Sequence, residues 1–193
     1  MFPAVLDTCV LWPSLQRDFL LTLGTHHVFE PRWSEDILAE LEIHETEKLV
    51  SHGVSESNAQ HRAFRLIRQM ETHFPQCTVH VPPAWSPAIP LPDPYDEHVL
   101  GAAVFSNAEA IVTNNLKDFP RNCLPSGISA IPPSEFLADA VGLSPARGLE
   151  ACNSLLARLK NPALTLEQFI TIMEERYGAT EAATMLRDAA RNN

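Results

Sequence analysis

Apolar residues in the first two thirds of the chain fall into short runs separated by amphipathic stretches. "AVLDTCVL", residues 4–11, is an apolar run broken by one carboxylate, Asp7, which suits a buried parallel strand that ends at Asp7 and runs into a helix. Leu15, Phe19, Leu20 and Leu23 recur at helical spacing, with Gly24 where a C-cap stands. "HHVFEP" predicts a second strand, closed by Pro31. Ser34 followed by Glu35 and Asp36 marks a helix start, because outward-pointing backbone N–H groups favour an oxygen cap and acids in the first turn. Ile37, Leu38 and Leu41 give that helix its apolar face, and Glu40 falls at the buried edge beside it. A longer helix is predicted from Ser55 to about His73, with Ala59, Ala63, Leu66, Ile67 and Met70 inward and Arg62, Arg65 and Arg68 on the other side.

"CTVHV" reads as a strand, and the proline-rich "PPAWSPAIPLPDP" cannot continue it. "YDEHVLGAAVFSNA" is a helix of small residues, with Val99, Leu100, Ala102, Ala103 and Phe105 available for close packing. "AIVT" is the next buried strand, "NNLKDFP" a turn, and "GISAIPP" a last short strand. Strands alternating with helices in this order predict an α/β fold with a parallel sheet covered on both faces. After Pro132-Pro133 only helices are expected: one capped by Ser134 and running to about Val141, then roughly 145–160, 165–177 with Thr165 as N-cap, and 179–190. The predicted division is an α/β body over 1–132 and a small all-helical extension over 133–193.

Bulk properties narrow the function classes. A chain of 193 residues, 45% hydrophobic and 20% charged, is ordinary globular material. No apolar run approaches the roughly 20 residues that span a bilayer, and "MFPAVLDTCVLWP" carries Asp7 within its apolar stretch and no basic residue before it, so the chain reads as cytoplasmic and free of the membrane. Cys9, Cys77, Cys123 and Cys152 lie far apart and are expected to be small buried hydrophobes, and the eight histidines show no HExxH or paired ligand spacing. A net charge of −10 argues against coating nucleic acid through bulk positive charge, but leaves room for an enzyme with metal ions in an acidic pocket. Residues 1–132 hold 8 Lys/Arg against 16 Asp/Glu, whereas 133–193 hold 6 against 8, which places an acidic site in the body.

Ligands of open α/β sheets bind beyond the carboxyl ends of the strands, near a switch in strand order. Asp7 ends the first strand, Asp96 opens the helix after the proline-rich loop, and Thr113 to Asp118 follow "AIVT". Glu40 joins them if its helix packs at the same edge. Gathered carboxylates repel unless cations or protons neutralise them, and oxygen-only donors select hard ions such as Mg²⁺ or Mn²⁺, which also neutralise phosphate and activate water. Each acid also has a plain reading: Asp7 and Asp96 as helix N-caps, Glu40 as a surface acid, Asp93 and Asp118 as turn acids.

Four motifs, "VLDTCVL", "ILAEL", "DPYDEHVLGAA" and "IVTNNLKDFP", span residues 4–120 in order. In these the chain resembles the PIN-domain ribonucleases, particularly the toxin components of VapBC-type toxin–antitoxin modules and their longer subgroup with a helical tail. The resemblance implies a three-layer α/β/α nuclease body over 1–132. In it Asp7, Glu40, Asp96 and Asp118 hold one or two Mg²⁺ or Mn²⁺ ions, and a metal-activated water attacks an RNA phosphodiester. Thr113 supports the site through its hydroxyl, Asn115 stands where some members carry another acid or polar residue, and Asp93 is the second choice within its segment. The resemblance also implies a cognate antitoxin that places a segment, with a basic residue, in the acidic cleft. The helical extension serves that partner or a second copy of the chain.

For phosphate contacts, Lys117 and Arg121 lie beside Asp118. Arg62, Arg65 and Arg68 offer a basic helix face that is either a contact for RNA or an acidic partner, or simply solvated. Two alternatives remain open: a PIN-like module that binds RNA or protein without cutting, and a haloacid-dehalogenase-like phosphatase. The second resembles a DxDx[TV] loop, whereas Cys9 occupies the place of its second acid.

Overall fold

The protein is described over residues 1–192 by a computed structural model. Its body contains β1 (Pro3–Leu6), α1 (Thr8–Leu11), α2 (Ser14–Thr25), β2 (Glu30–Ser34), α3 (Glu35–Ser51), α4 (Glu56–His73), β3 (Thr78–Val79), α5 (Glu97–Ser106), β4 (Ala110–Val112) and β5 (Ser129–Ile131). The strands form one parallel sheet in the order β3-β2-β1-β4-β5, with Ala4 opposite Pro31 on one side and Ala110 on the other. Ala4, Val5 and Leu6 of the central strand are wholly buried, as expected where helices cover both faces in a three-layer α/β/α arrangement. The chain builds β2 and β3 on one side of β1, then crosses back to build β4 and β5 on the other. The switch in strand order therefore lies between β1 and β4, and Asp7 and Thr113 are the residues that follow these two strands. Asp7 N donates to Val112 O at 3.1 Å and Thr113 N to Ile131 O at 3.0 Å, so both residues are pinned by the ladder itself.

Two predicted elements move. The second strand is Glu30–Ser34 rather than 26–31, because His26–Val28 wrap the end of α2: His27 is left-handed (φ 57°), and the N–H groups of His27 and Val28 return to Gly24 O and Leu23 O. Gly24 is thus not the cap but a helical residue, where an added Cβ would stand 2.9 Å from Pro31 Cδ. Pro31 is tolerated inside the sheet because pairing with β3 begins only at Trp33, whose N–H donates to Cys77 O at 3.1 Å. The "CTVHV" strand is likewise only two residues long.

The extension holds α6 (Pro133–Leu143), α7 (Pro145–Arg158), α8 (Leu166–Tyr177) and α9 (Thr180–Arg191). Helix α6 starts on Pro133 instead of being capped by Ser134, since proline's fixed φ and missing N–H suit the first helical position. Thr165 and Gln168 form a capping box at α8. The extension shares the body's core: Phe136 meets Phe29 edge-on at 4.8 Å between ring centroids, and Phe169 meets Phe19 at 5.0 Å. Among the described residues, no helix is long and apolar enough to cross a membrane.

Candidate active site

Beyond the carboxyl end of β1 lies a cleft of about 520 Å³, lined by Asp7, Thr8, Cys9, Trp12, Glu40, Asp96 and Asn115 together with Pro13, His44 and Asn114. Asp7 holds the N-cap position of α1, yet its side chain makes no capping bond. Its Oδ2 instead accepts from Thr113 Oγ1 at 2.6 Å and from Cys9 Sγ at 3.1 Å. Thr113 is fully buried, and its oxygen also accepts from Asn115 N at 2.9 Å, so the hydroxyl proton is committed to Asp7. The Cys9 thiol is pushed up to about 12 by burial and by the Asp7 charge, which keeps it a donor.

Asp96 ends a 3-10 turn, Pro94–Asp96, and stands at the N-cap of α5, again without a capping bond. Its carboxyl is pushed up to about 6, first by burial and then by the charges of Asp7, Asp93 and Asp118, with His98 opposing. Asp93 caps that turn, its Oδ1 accepting from Tyr95 N at 2.9 Å, which is the turn role foreseen for it. Asp118 ends a second 3-10 turn and does not line the cleft, although its charge reaches Asp96. Lys117 Nζ, on a side chain 84% exposed, lies 3.8 Å from Asp118 Oδ2.

Glu40 holds the other wall. Its Oε2 accepts from Thr8 Oγ1 at 2.7 Å, and its Oε1 lies 3.5 Å from His98 Nε2. Burial pushes the Glu40 carboxyl up, but the His98 ring 3.5 Å away, the hydrogen bond from Thr8 and the charges of His98 and His44 outweigh it and hold the group below its ordinary value. His98 Nδ1 lies 2.7 Å from the Tyr95 carbonyl, which can only accept, so Nδ1 carries a proton and Nε2 faces Glu40. Burial alone would lower the His98 pKa; the Glu40 carboxylate 3.5 Å from Nε2 raises it above the ordinary value.

The PIN domain family model matches residues 3–117. The chain belongs to the PIN domain family. A second family model, the VapC50 C-terminal domain, matches residues 133–188 in the helical extension. A 49-residue stretch is 53% identical to a Mycobacterium tuberculosis protein named "Putative ribonuclease VapC50"; it covers 25% of this chain and 29% of that protein. No solved structure matches.

In this PIN domain the sheet brings Asp7, Glu40, Asp96 and Asn115 to one cleft, with Thr113 beneath Asp7 and Asp118 just outside the lining. Among the described residues, no group of three or more His, Cys, Asp or Glu side chains is close enough to enclose one metal ion. The donor set nonetheless fits a hydrated hard cation, because Mg²⁺ keeps several waters and takes one or two carboxylates instead of a closed protein cage. The phosphate-contact candidates divide. Arg62 and Arg65 are exposed on α4, which contributes nothing to the cleft, and Arg68 pairs with Glu71 at 2.8 Å. Arg121 Nη1 donates to Ile128 O at 3.2 Å and Ser129 Oγ at 3.0 Å, so it braces its own loop.

Thr8, Cys9, Trp12 and His98 belong to the site although no motif in the sequence singles them out as site residues. Cys9, expected to be a small buried hydrophobe, is a half-buried donor to Asp7. His98 lacks metal-ligand spacing to any other histidine; its place two residues after Asp96 is the signal that links it to the site. The phosphatase loop has no counterpart, since the residue two after Asp7 is this thiol donor.

Proposed function

We propose that this PIN-domain protein is a metal-dependent endoribonuclease, acting as the toxin of a toxin–antitoxin pair, with its chemistry in the Asp7–Glu40–Asp96 cleft. The observation that carries the reading is the convergence of Asp7, Glu40 and Asp96 on one cleft, with the Asp96 carboxyl free of any capping bond. A cleft of this kind is relieved by a cation. Asp7 and Asp96, which line the cleft, would hold hydrated Mg²⁺ or Mn²⁺, with Glu40 on the facing wall and Asp118 adding charge from outside the lining. Such an ion neutralises phosphodiester charge and lowers the pKa of a water it binds.

The chain's own residues orient the carboxylates. Thr113 and Cys9 fix the orientation of Asp7 through Oδ2. Thr8 and His98 hold the two oxygens of Glu40. When water oxygen bonds to phosphorus, the ester P–O bond breaks, the water gives up one proton and the leaving ester oxygen takes one up. The step therefore needs no net proton from the carboxylates that wall the cleft. The reading is supported by family membership and by the ribonuclease named for the relative. The acidity of the cleft also suits a partner segment bearing a basic residue, as an antitoxin would offer.

The test is cleavage of total RNA by the purified protein with and without Mn²⁺. The proposal expects cutting that EDTA abolishes. A protein that binds RNA or an antitoxin but cuts nothing with Mg²⁺ or Mn²⁺ would instead be a non-catalytic PIN-like module, a reading favoured by the lack of a three-ligand cluster among the described residues.

A further inference from the structure

We infer that Trp12 is a stacking platform for a nucleobase and that it makes the cleft selective for single-stranded RNA; the inference rests on the ribonuclease reading above. Trp12 lines the same cleft as Asp7, Glu40 and Asp96. Its side of the molecule is open: Trp12 is 42% exposed, whereas Trp33 is wholly buried in the core. The ring is held in place. Its Nε1 donates to His44 O at 3.3 Å, the Lys48 ammonium stands 5.6 Å from the ring centroid, and the same ammonium donates to Trp12 O at 3.3 Å. An indole fixed by α3 in this way loses little freedom when a flat ligand settles on it, which is the condition for an effective aromatic anchor.

Charge shows why such an anchor is needed. The chain carries a net −10, and the cleft is walled by carboxylates. No lysine or arginine lines the cleft among the described residues: Arg121 is committed to its loop, the α4 arginines stand away, Lys48 beside Trp12 pairs with Glu45 and donates to Ser14 Oγ, and Lys117 lies against Asp118. Phosphate contacts of the usual kind therefore supply little affinity, and a π face supplies it instead. Stacking on an aromatic side chain accepts any base, because every base has a face. It also demands an unpaired base, since an A-form duplex keeps its base faces covered. Weak salt dependence accompanies this mode, because few counterions are released when few phosphates are contacted.

The experiment uses the full chain in an Asp96→Asn background, so that RNA stays intact, and measures binding of a labelled single-stranded oligoribonucleotide and of its duplex. Three further substitutions are compared: Trp12→Leu, which keeps apolar bulk; Trp12→Phe, which keeps a ring; and Phe64→Leu, which alters another exposed aromatic, on α4 and outside the cleft. Thermal melting checks that each folds. Trp12→Leu is expected to weaken single-strand binding about tenfold, the effect of losing one stacked base. Trp12→Phe should retain most of the affinity and Phe64→Leu all of it. The single strand should quench tryptophan fluorescence in the Asp96→Asn parent, with the quench lost in Trp12→Phe. A folded Trp12→Leu protein that binds as tightly as the parent, or a duplex bound as tightly as the single strand, overturns the inference. Unchanged RNA binding with lost capture of a basic partner protein assigns Trp12 to a protein contact and overturns it too. If wild type neither binds nor cuts any RNA, the ribonuclease reading itself has failed, an outcome the wild-type cleavage assay identifies separately.

Discussion

Thr113 Oγ1 donates to Asp7 Oδ2 across 2.6 Å, joining the ends of β4 and β1, two strands that are 106 residues apart in sequence and adjacent in the sheet. The bond lies at the switch in strand order, and its donor is wholly buried. Thr113→Val removes it while keeping the shape and leaves a carboxylate, itself 4% exposed, short of its strongest donor. The expected cost is about 1–3 kcal/mol in urea unfolding, with a marked loss of RNA cleavage. Thr113→Ser should restore both, whereas equal stability and activity of the valine variant would show that Asp7 needs no such support.

The pairing of His98 with Glu40 predicts a pH window. His98 is raised above its ordinary 6.5, so its contribution to stability is complete below 6.5 and is lost as pH rises through the higher folded value. Glu40 is lowered from its ordinary 4.5, so its contribution is present above 4.5 and is lost as pH falls through the lower folded value. The stability difference between wild type and His98→Gln, followed by thermal melting across pH, should therefore be widest between 4.5 and 6.5 and narrow on either side. A difference that does not vary with pH would mean the imidazole only fills space.

Helix α2 and strand β2 touch at Gly24, where a Cβ would come within 2.9 Å of Pro31 Cδ and 3.0 Å of its Cγ. The proline ring is rigid and cannot swing aside, so Gly24→Ala should cost about 1–3 kcal/mol by overpacking. Cleavage per folded molecule should stay unchanged. An alanine variant as stable as wild type would show that the sheet and α2 have slack at this contact.

Much of this arrangement is legible in the sequence where the signal is local. Ser34 with Glu35 and Asp36 marks the start of α3, and Thr165 marks α8, because a cap and its first turn occupy a few consecutive residues. The strand after α2 is displaced because its limits depend on distant partners: Pro31 is admitted only since β3 begins pairing at Trp33. The same distinction divides the site. Asp7 and Asp96 stand out as acids at element boundaries, and the absence of capping bonds shows that they do not serve as ordinary caps. The tie between His98 and Glu40 crosses 58 positions and has no local signature, and Arg121 looks available for phosphate until its loop is seen to hold it.

Whether the acidic cleft binds a divalent cation and cuts RNA, as proposed, is decided at Asp96. Its carboxyl is raised from an ordinary 3.8 to about 6, so without metal the folded state retains its proton longer than the unfolded chain and stability falls as pH rises across that interval. Asp96→Asn should therefore melt higher than metal-free wild type at pH 7. Added Mn²⁺ should raise the melting temperature of wild type and do so less for the variant. Cleavage of RNA should fall by roughly a hundredfold or more, beyond what is typical for losing a group behind a metal ligand. An Asp96→Asn protein that cuts RNA as well as wild type, with the same Mn²⁺-induced rise in melting temperature, would contradict the account.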